Sequence, residues 1–154
     1  MTQTISKPAQ TSLYERDLNL WLETAIAQLK AGDLNDLDVE NLVEELEGLA
    51  GRDRRELKNR LRVLLEHLLK RLYIDMPQEF NGWQRTIREQ RRQIESILEQ
   101  SPSLRNIWIK SFEDELRSAI KDVRSEYRKT TFPDAWQFSY DIESLLSIDF
   151  WEEI

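Results

Sequence analysis

Apolar residues recur along most of this chain at intervals of three and four, the spacing that gathers side chains on one face of an α-helix. Leu18, Trp21, Leu22, Ala25 and Leu29 form the first stripe. Ser12, with Glu15 three residues later, makes a capping box in which each side chain satisfies an orphan amide, and Gly32 suits a left-handed C-cap. A first helix is predicted between them. Val39, Leu42, Val43, Leu46 and Leu49 form a second stripe behind Asp38, an N-cap residue flanked by Leu37 and Leu42 at the staple positions. Gly48 and Gly51 weaken that helix, so a break or kink is expected near Gly51.

Leu57, Leu61, Leu64, Leu65, Leu68 and Leu72 carry the clearest pattern and predict a third helix from about 52 to 74. Pro77, Asn81 and Gly82 predict a loop, after which Trp83, Ile87, Ile94, Ile97 and Leu98 mark a fourth helix with an arginine-rich outer face. Ser101-Pro102 opens a fifth, whose stripe runs from Leu104 through Trp108, Phe112, Leu116, Ile120 and Val123 to Tyr127. Phe132-Pro133 ends it. Asp141 caps a short helix containing Ile142, Leu145 and Leu146, with Phe150 and Trp151 as anchors for the C-terminal tail. The expected fold is therefore all-α, an antiparallel bundle of about five main helices plus a short C-terminal helix. Residues 1–11 read as a flexible N-terminal tail and 12–154 as a single domain.

Composition narrows the chemistry. Without cysteine in 154 residues, disulfides, thiolate metal sites and a cysteine nucleophile are excluded. Four glycines and four prolines are too few punctuators for a many-stranded sandwich or barrel. No run of about 18 apolar residues occurs, and the polar N-terminal stretch resembles neither a signal peptide nor an anchor, so a cytoplasmic protein without a membrane segment is expected.

The net charge of −7 is unevenly spread: 3 basic against 10 acidic residues over 1–51, 12 against 6 over 52–92, and 7 against 13 over 93–154. Helices of opposite charge packing side by side account for such a pattern, as does a basic surface facing a partner.

The acidic cluster Glu40, Glu44, Glu45 and Glu47 lacks the paired Glu-x-x-His motifs of a di-iron bundle: the chain has one histidine, and Leu64 stands three residues before His67. The glycines form no phosphate-binding loop, and no serine sits in a glycine-flanked elbow. No cofactor is expected. His67 lies at the edge of its leucine stripe and titrates near neutrality, which would suit a general base. Arg52 to Arg62, with Arg85, Arg88, Arg91 and Arg92, would neutralise phosphates, although Asp53, Glu56, Glu66 and Glu89 are interleaved with them. Trp83, beside Arg85 and with Arg92 further along, has the composition favoured at protein interfaces.

Several of these segments resemble a known family, the cyanobacterial group called domain of unknown function number twenty-nine. The matching stretches are Leu13-Tyr14-Glu15-Arg16-Asp17 with Trp21, Leu37-Asp38, Asn41 through Leu46, Leu65 through Lys70, Trp83 through Arg91, and Ser101 through Leu104. Arg71 departs from the pattern, which usually has tryptophan there. The resemblance implies a helical cytoplasmic protein and transfers no activity. Its polar positions Asp17, Glu44, Glu45, His67, Lys70, Arg88 and Arg91 stand at stripe edges, where they would either converge on one polar pocket or serve as interhelical salt bridges. The leading expectation for function is a protein-interaction or regulatory module, acting on a protein partner or as a homodimer. Nucleic-acid binding through helices 52–62 and 85–92 is the second, and an enzyme centred on His67 the third.

Overall fold

The structure is a computed structural model and describes residues 12–153. The tail expected over 1–11 lies outside the described residues. Among the described residues six α-helices and two 3₁₀ turns follow one another: α1 Leu13–Arg16, α2 Leu18–Ala31, α3 Val39–Tyr73, α4 Pro77–Gln100, a turn Pro102–Leu104, α5 Arg105–Glu126, α6 Ile142–Ser147 and a turn Phe150–Glu152. Among the described residues there is no β-strand. The chain is all-α, as its periodicity predicts. It forms two compact units, Met1–Ala50 and Gly51–Ile154.

Three expected boundaries are corrected. The first helix is divided at Asp17, whose backbone (φ −153°, ψ 88°) leaves the helical region while its carboxylate accepts from the Leu20 amide at 3.0 Å. One residue thus ends α1 and caps α2. The break expected near Gly51 is absent, and α3 is continuous over 35 residues. A helical glycine costs only about 1 kcal/mol relative to alanine, too little to interrupt a helix whose hydrogen-bond ladder continues on both sides. The loop expected at Pro77–Gly82 is also absent, because Pro77 is the first residue of α4, where its missing N–H leaves no helical bond unmade.

The second unit has a thick leucine-rich core. Leu57, Leu61, Leu64, Leu65 and Leu68 of α3 are fully buried against Ile87 and Ile94 of α4 and Trp108, Ala119 and Val123 of α5, with Phe132, Leu145 and Phe150 closing it. Burying a leucine or isoleucine contributes about 1.5–3 kcal/mol. This cluster therefore dominates the stability of the unit.

The first unit is built differently. Trp21 and Ala25 are its buried apolar residues among those described. Leu18, Leu29, Val39, Val43, Leu46 and Leu49, which the periodicity assigns to core-facing stripes, are all exposed.

Candidate functional site

Short polar contacts hold the first unit. Ser12 Oγ accepts from the Glu15 amide at 3.3 Å, as its capping box predicts. Trp21 Nε1 donates to Asp38 Oδ2 at 3.2 Å, and Asn41 Nδ2 donates to the same oxygen at 2.7 Å. Those two donors, Asn41 foremost, hold the Asp38 carboxyl below the usual carboxylate range. Tyr14 packs edge-on against Trp21 at 4.8 Å between centroids and donates its hydroxyl to Glu45. That bond pushes the Tyr14 phenol up to about 12. Asp17 and Glu45 therefore serve the local architecture, whereas Glu44 is exposed.

Beside this framework lies an uncovered apolar surface. At 100° per residue, Leu18, Leu22, Ile26 and Leu29 fall on adjoining bearings of α2, and Val39, Leu42, Val43, Leu46 and Leu49 fall within about a third of the circumference of α3. Val39 and Leu46 are 56% and 57% exposed. Of the eleven large hydrophobic residues exposed among those described, nine belong to this unit. Glu40 and Glu47 border the α3 stripe on one side and Glu45 on the other.

In the second unit, α3 and α5 are joined by a row of charged side chains. Arg62 pairs with Glu115 at 3.5 Å, and Lys70 pairs with Glu126 at 2.9 Å while lying over the Tyr127 ring. Between these pairs, burial and a hydrogen bond shared with Asp122 push Glu66 up to about 7. His67 Nδ1 lies 2.8 Å from the Val63 carbonyl, and burial, aided by the Lys70 charge, pulls its pKa down. Basic side chains of α3 thus meet acidic side chains of α5, a helix that carries five acidic and five basic residues, so the complementarity is one of facing pairs and not of whole-helix charge.

The seven charged positions at the stripe edges divide between the units: Asp17, Glu44 and Glu45 belong to the first, His67, Lys70, Arg88 and Arg91 to the second. Within the second they take separate directions. Arg91 is 8% exposed and clamps the C-terminal segment, donating to the carbonyls of Leu145 and Ile148 and pairing with Asp149 at 3.2 Å. Arg88 is exposed. Trp83 is only 7% exposed, in the core between Phe80 and Tyr127, so it offers no surface for a partner. Arg85 and Arg92 are exposed, the latter paired with Glu89. Arg71, where the resemblance expects tryptophan, lays its guanidinium 3.7 Å from the centroid of Phe80 and 5.1 Å from that of Trp151. It fills an aromatic slot with a planar cation.

Two clefts in the second unit bear on ligands. One, of about 490 Å³, is lined by Arg52, Arg55, Asn59, Arg60 and Gln90, with Arg60 held by Glu56 and Gln90. The other, of about 220 Å³, is mostly apolar and is lined by Trp108, Ile109, Phe112 and Tyr140, with the Arg105–Glu143 ion pair beside them. No group of three or more His, Cys, Asp or Glu residues poised to hold a metal occurs among the described residues. No described helix is long and apolar enough to cross a membrane.

The uncovered stripe was missed in the sequence because an amphipathic pattern records that a face is apolar, not what covers it. The Glu66–Asp122 pair was missed because its partners are 56 residues apart and share no local motif.

No curated protein and no solved structure matches this chain. The model of the family described as "Domain of unknown function DUF29" matches residues 13–151, a span that includes the Tyr14–Glu45 and Trp21–Asp38 contacts and the Arg91 clamp. The chain belongs to the DUF29 family.

Proposed function

We propose that this protein is a helical protein-interaction module whose binding surface is the apolar face of its first unit. The observation that carries the reading is the concentration of nine of eleven exposed large hydrophobic residues in that unit. Scattered exposed leucines are ordinary, but a contiguous apolar stripe rimmed by charge marks an interaction surface. Covering each half-exposed side chain on binding is worth on the order of 1 kcal/mol, half of what full burial contributes. Several together supply a binding energy that a monomer leaves unused. His67 bonds to its own helix.

A second reading, binding of a polyanion such as nucleic acid, is favoured by the arginine-lined cleft at Arg52, Arg55 and Arg60. Co-purification from host cells, with and without nuclease, of the full chain and of its Val43→Asp/Leu46→Asp variant separates the two. The interaction reading expects a stoichiometric protein, or a second copy, that survives nuclease and is lost in the variant. Material released by nuclease and retained by the variant would overturn it in favour of the cleft.

A further inference from the structure

The open stripe of α3 also bears on what would cover it. This inference rests on the interaction reading above and deepens it. Residues 1–50 carry 10 acidic against 3 basic side chains, the whole net charge of the chain. Along α3 the exposed Val39, Val43, Leu46 and Leu49 are bordered by Glu40 and Glu47, with Glu44 beyond them, all exposed. Val39, Leu42, Leu46 and Leu49 are spaced three, four and three residues apart. That is the seam along which a second helix lies at a shallow angle. We propose that the occupant is a basic amphipathic helix of a partner protein, with leucine-like side chains on one face and lysine or arginine along its flanks.

Charge decides between this occupant and a second copy of the chain. Two copies meeting at this face would oppose Glu40 and Glu47 to the same acidic rim. Like charges across an interface disfavour association. A basic helix instead gains attraction at the rim while covering the stripe, which speeds encounter and fixes register. The two occupants also respond oppositely to salt, since screening weakens attraction between unlike charges and relieves repulsion between like ones.

The test uses the full chain and two synthetic 18-residue helices of identical leucine face, one with lysine and one with glutamate on the polar face. Binding is followed by anisotropy of the labelled peptides. The lysine peptide is expected to bind at least tenfold tighter than the glutamate peptide and to weaken as salt rises. Glu40→Lys/Glu47→Lys should reverse the preference, and Leu46→Asp should abolish docking even though it adds negative charge. Circular dichroism checks that each variant keeps its helical content, as substitutions at exposed positions should.

Equal binding of the two peptides, a preference the charge-reversed variant leaves unchanged, or lysine-peptide binding that survives Leu46→Asp would each overturn the proposal. Concentration-dependent self-association through Leu46 that strengthens with salt, with neither peptide bound, would overturn this occupant and leave the interaction reading standing. Neither peptide binding nor any Leu46-dependent association would overturn both.

Discussion

Arg91 reaches 54 residues along the chain to donate from Nε to the carbonyl of Leu145 at 2.9 Å, and its other nitrogens hold Ile148 and Asp149. One buried guanidinium thereby satisfies the carbonyls at the end of α6 and pins the segment that inserts Phe150 into the core. Arg91→Ala leaves those acceptors without a donor, which costs about 2–3 kcal/mol. The expected outcome is a lower urea midpoint and loss of amide-exchange protection over 142–153 ahead of the α3 core. Arg91→Lys should recover less than half of the difference, since an ammonium cannot reproduce the planar fork.

Glu66 gives the second unit a pH dependence of predictable sign. Its folded pKa of about 7 exceeds its ordinary value of 4.5 because burial and the hydrogen bond with Asp122 favour the protonated form. The stability it contributes is fully present below about 4.5 and is lost as pH rises through 7. Glu66→Gln removes that loss. The variant should gain on the parent by about 1–2 kcal/mol between pH 5 and 8, a pKa unit being worth about 1.4 kcal/mol before solvent screening of the pair is allowed for. His67 has the opposite sign. Its folded pKa is depressed by burial, so its contribution is present above its unfolded value near 6.5 and is lost as pH falls below it. Thermal melts across pH 4.5–8 would check both: Glu66→Gln should steepen the fall in stability on acidification, and His67→Gln should flatten it.

Much of this architecture is legible in the sequence, and where it is not the reason is physical. The α5 stripe from Trp108 to Val123, the Asp141 cap and the Phe150 anchor lie where periodicity and capping chemistry put them. Gly51 misleads because a glycine signals weakness, not interruption. The better signal was phase: Val39 and Leu57 are 18 residues apart, five turns at 3.6 residues per turn, so the two stripes share one bearing and belong to one helix. Pro77 misleads for a related reason, since proline breaks a helix interior yet begins a helix well. The site is less legible. Asp17, Glu45 and Arg91 stand out as polar residues at stripe edges, but their partners, respectively the Leu20 amide, Tyr14 and the carbonyls beyond Leu145, are set by the fold.

The glycines make a paired prediction. Gly48 lies inside α3 with open space where a Cβ would point, so Gly48→Ala should stabilise the helix by about 0.5–1 kcal/mol through the lower entropy of the unfolded chain. Gly32 ends α2 with φ at 72°. There alanine must adopt the left-handed region, and Gly32→Ala should destabilise by about 1 kcal/mol. Amide exchange over 39–52 should slow in the first variant, and exchange over 28–34 should quicken in the second.

Leu46 and Leu57 occupy one apolar stripe of one helix, yet the first is 57% exposed and the second 1%. If the Leu46 side chain contributed to the stability of the isolated chain, truncating it would lower the denaturation midpoint. With so much of it already in water, Leu46→Ala should change stability by no more than about 0.5 kcal/mol. Leu57→Ala opens a cavity within the second unit's core and should cost about 2–5 kcal/mol. The order should invert for association: Leu46→Ala should weaken binding of a helical partner several-fold, while Leu57→Ala, studied below its own midpoint, should leave that affinity unchanged. Urea titration of both variants, alongside the peptide-binding measurement, reads the two scales on the same samples. A loss of stability in Leu46→Ala comparable to that in Leu57→Ala would mean that the α3 stripe is part of a folding core and not a surface held open for a partner.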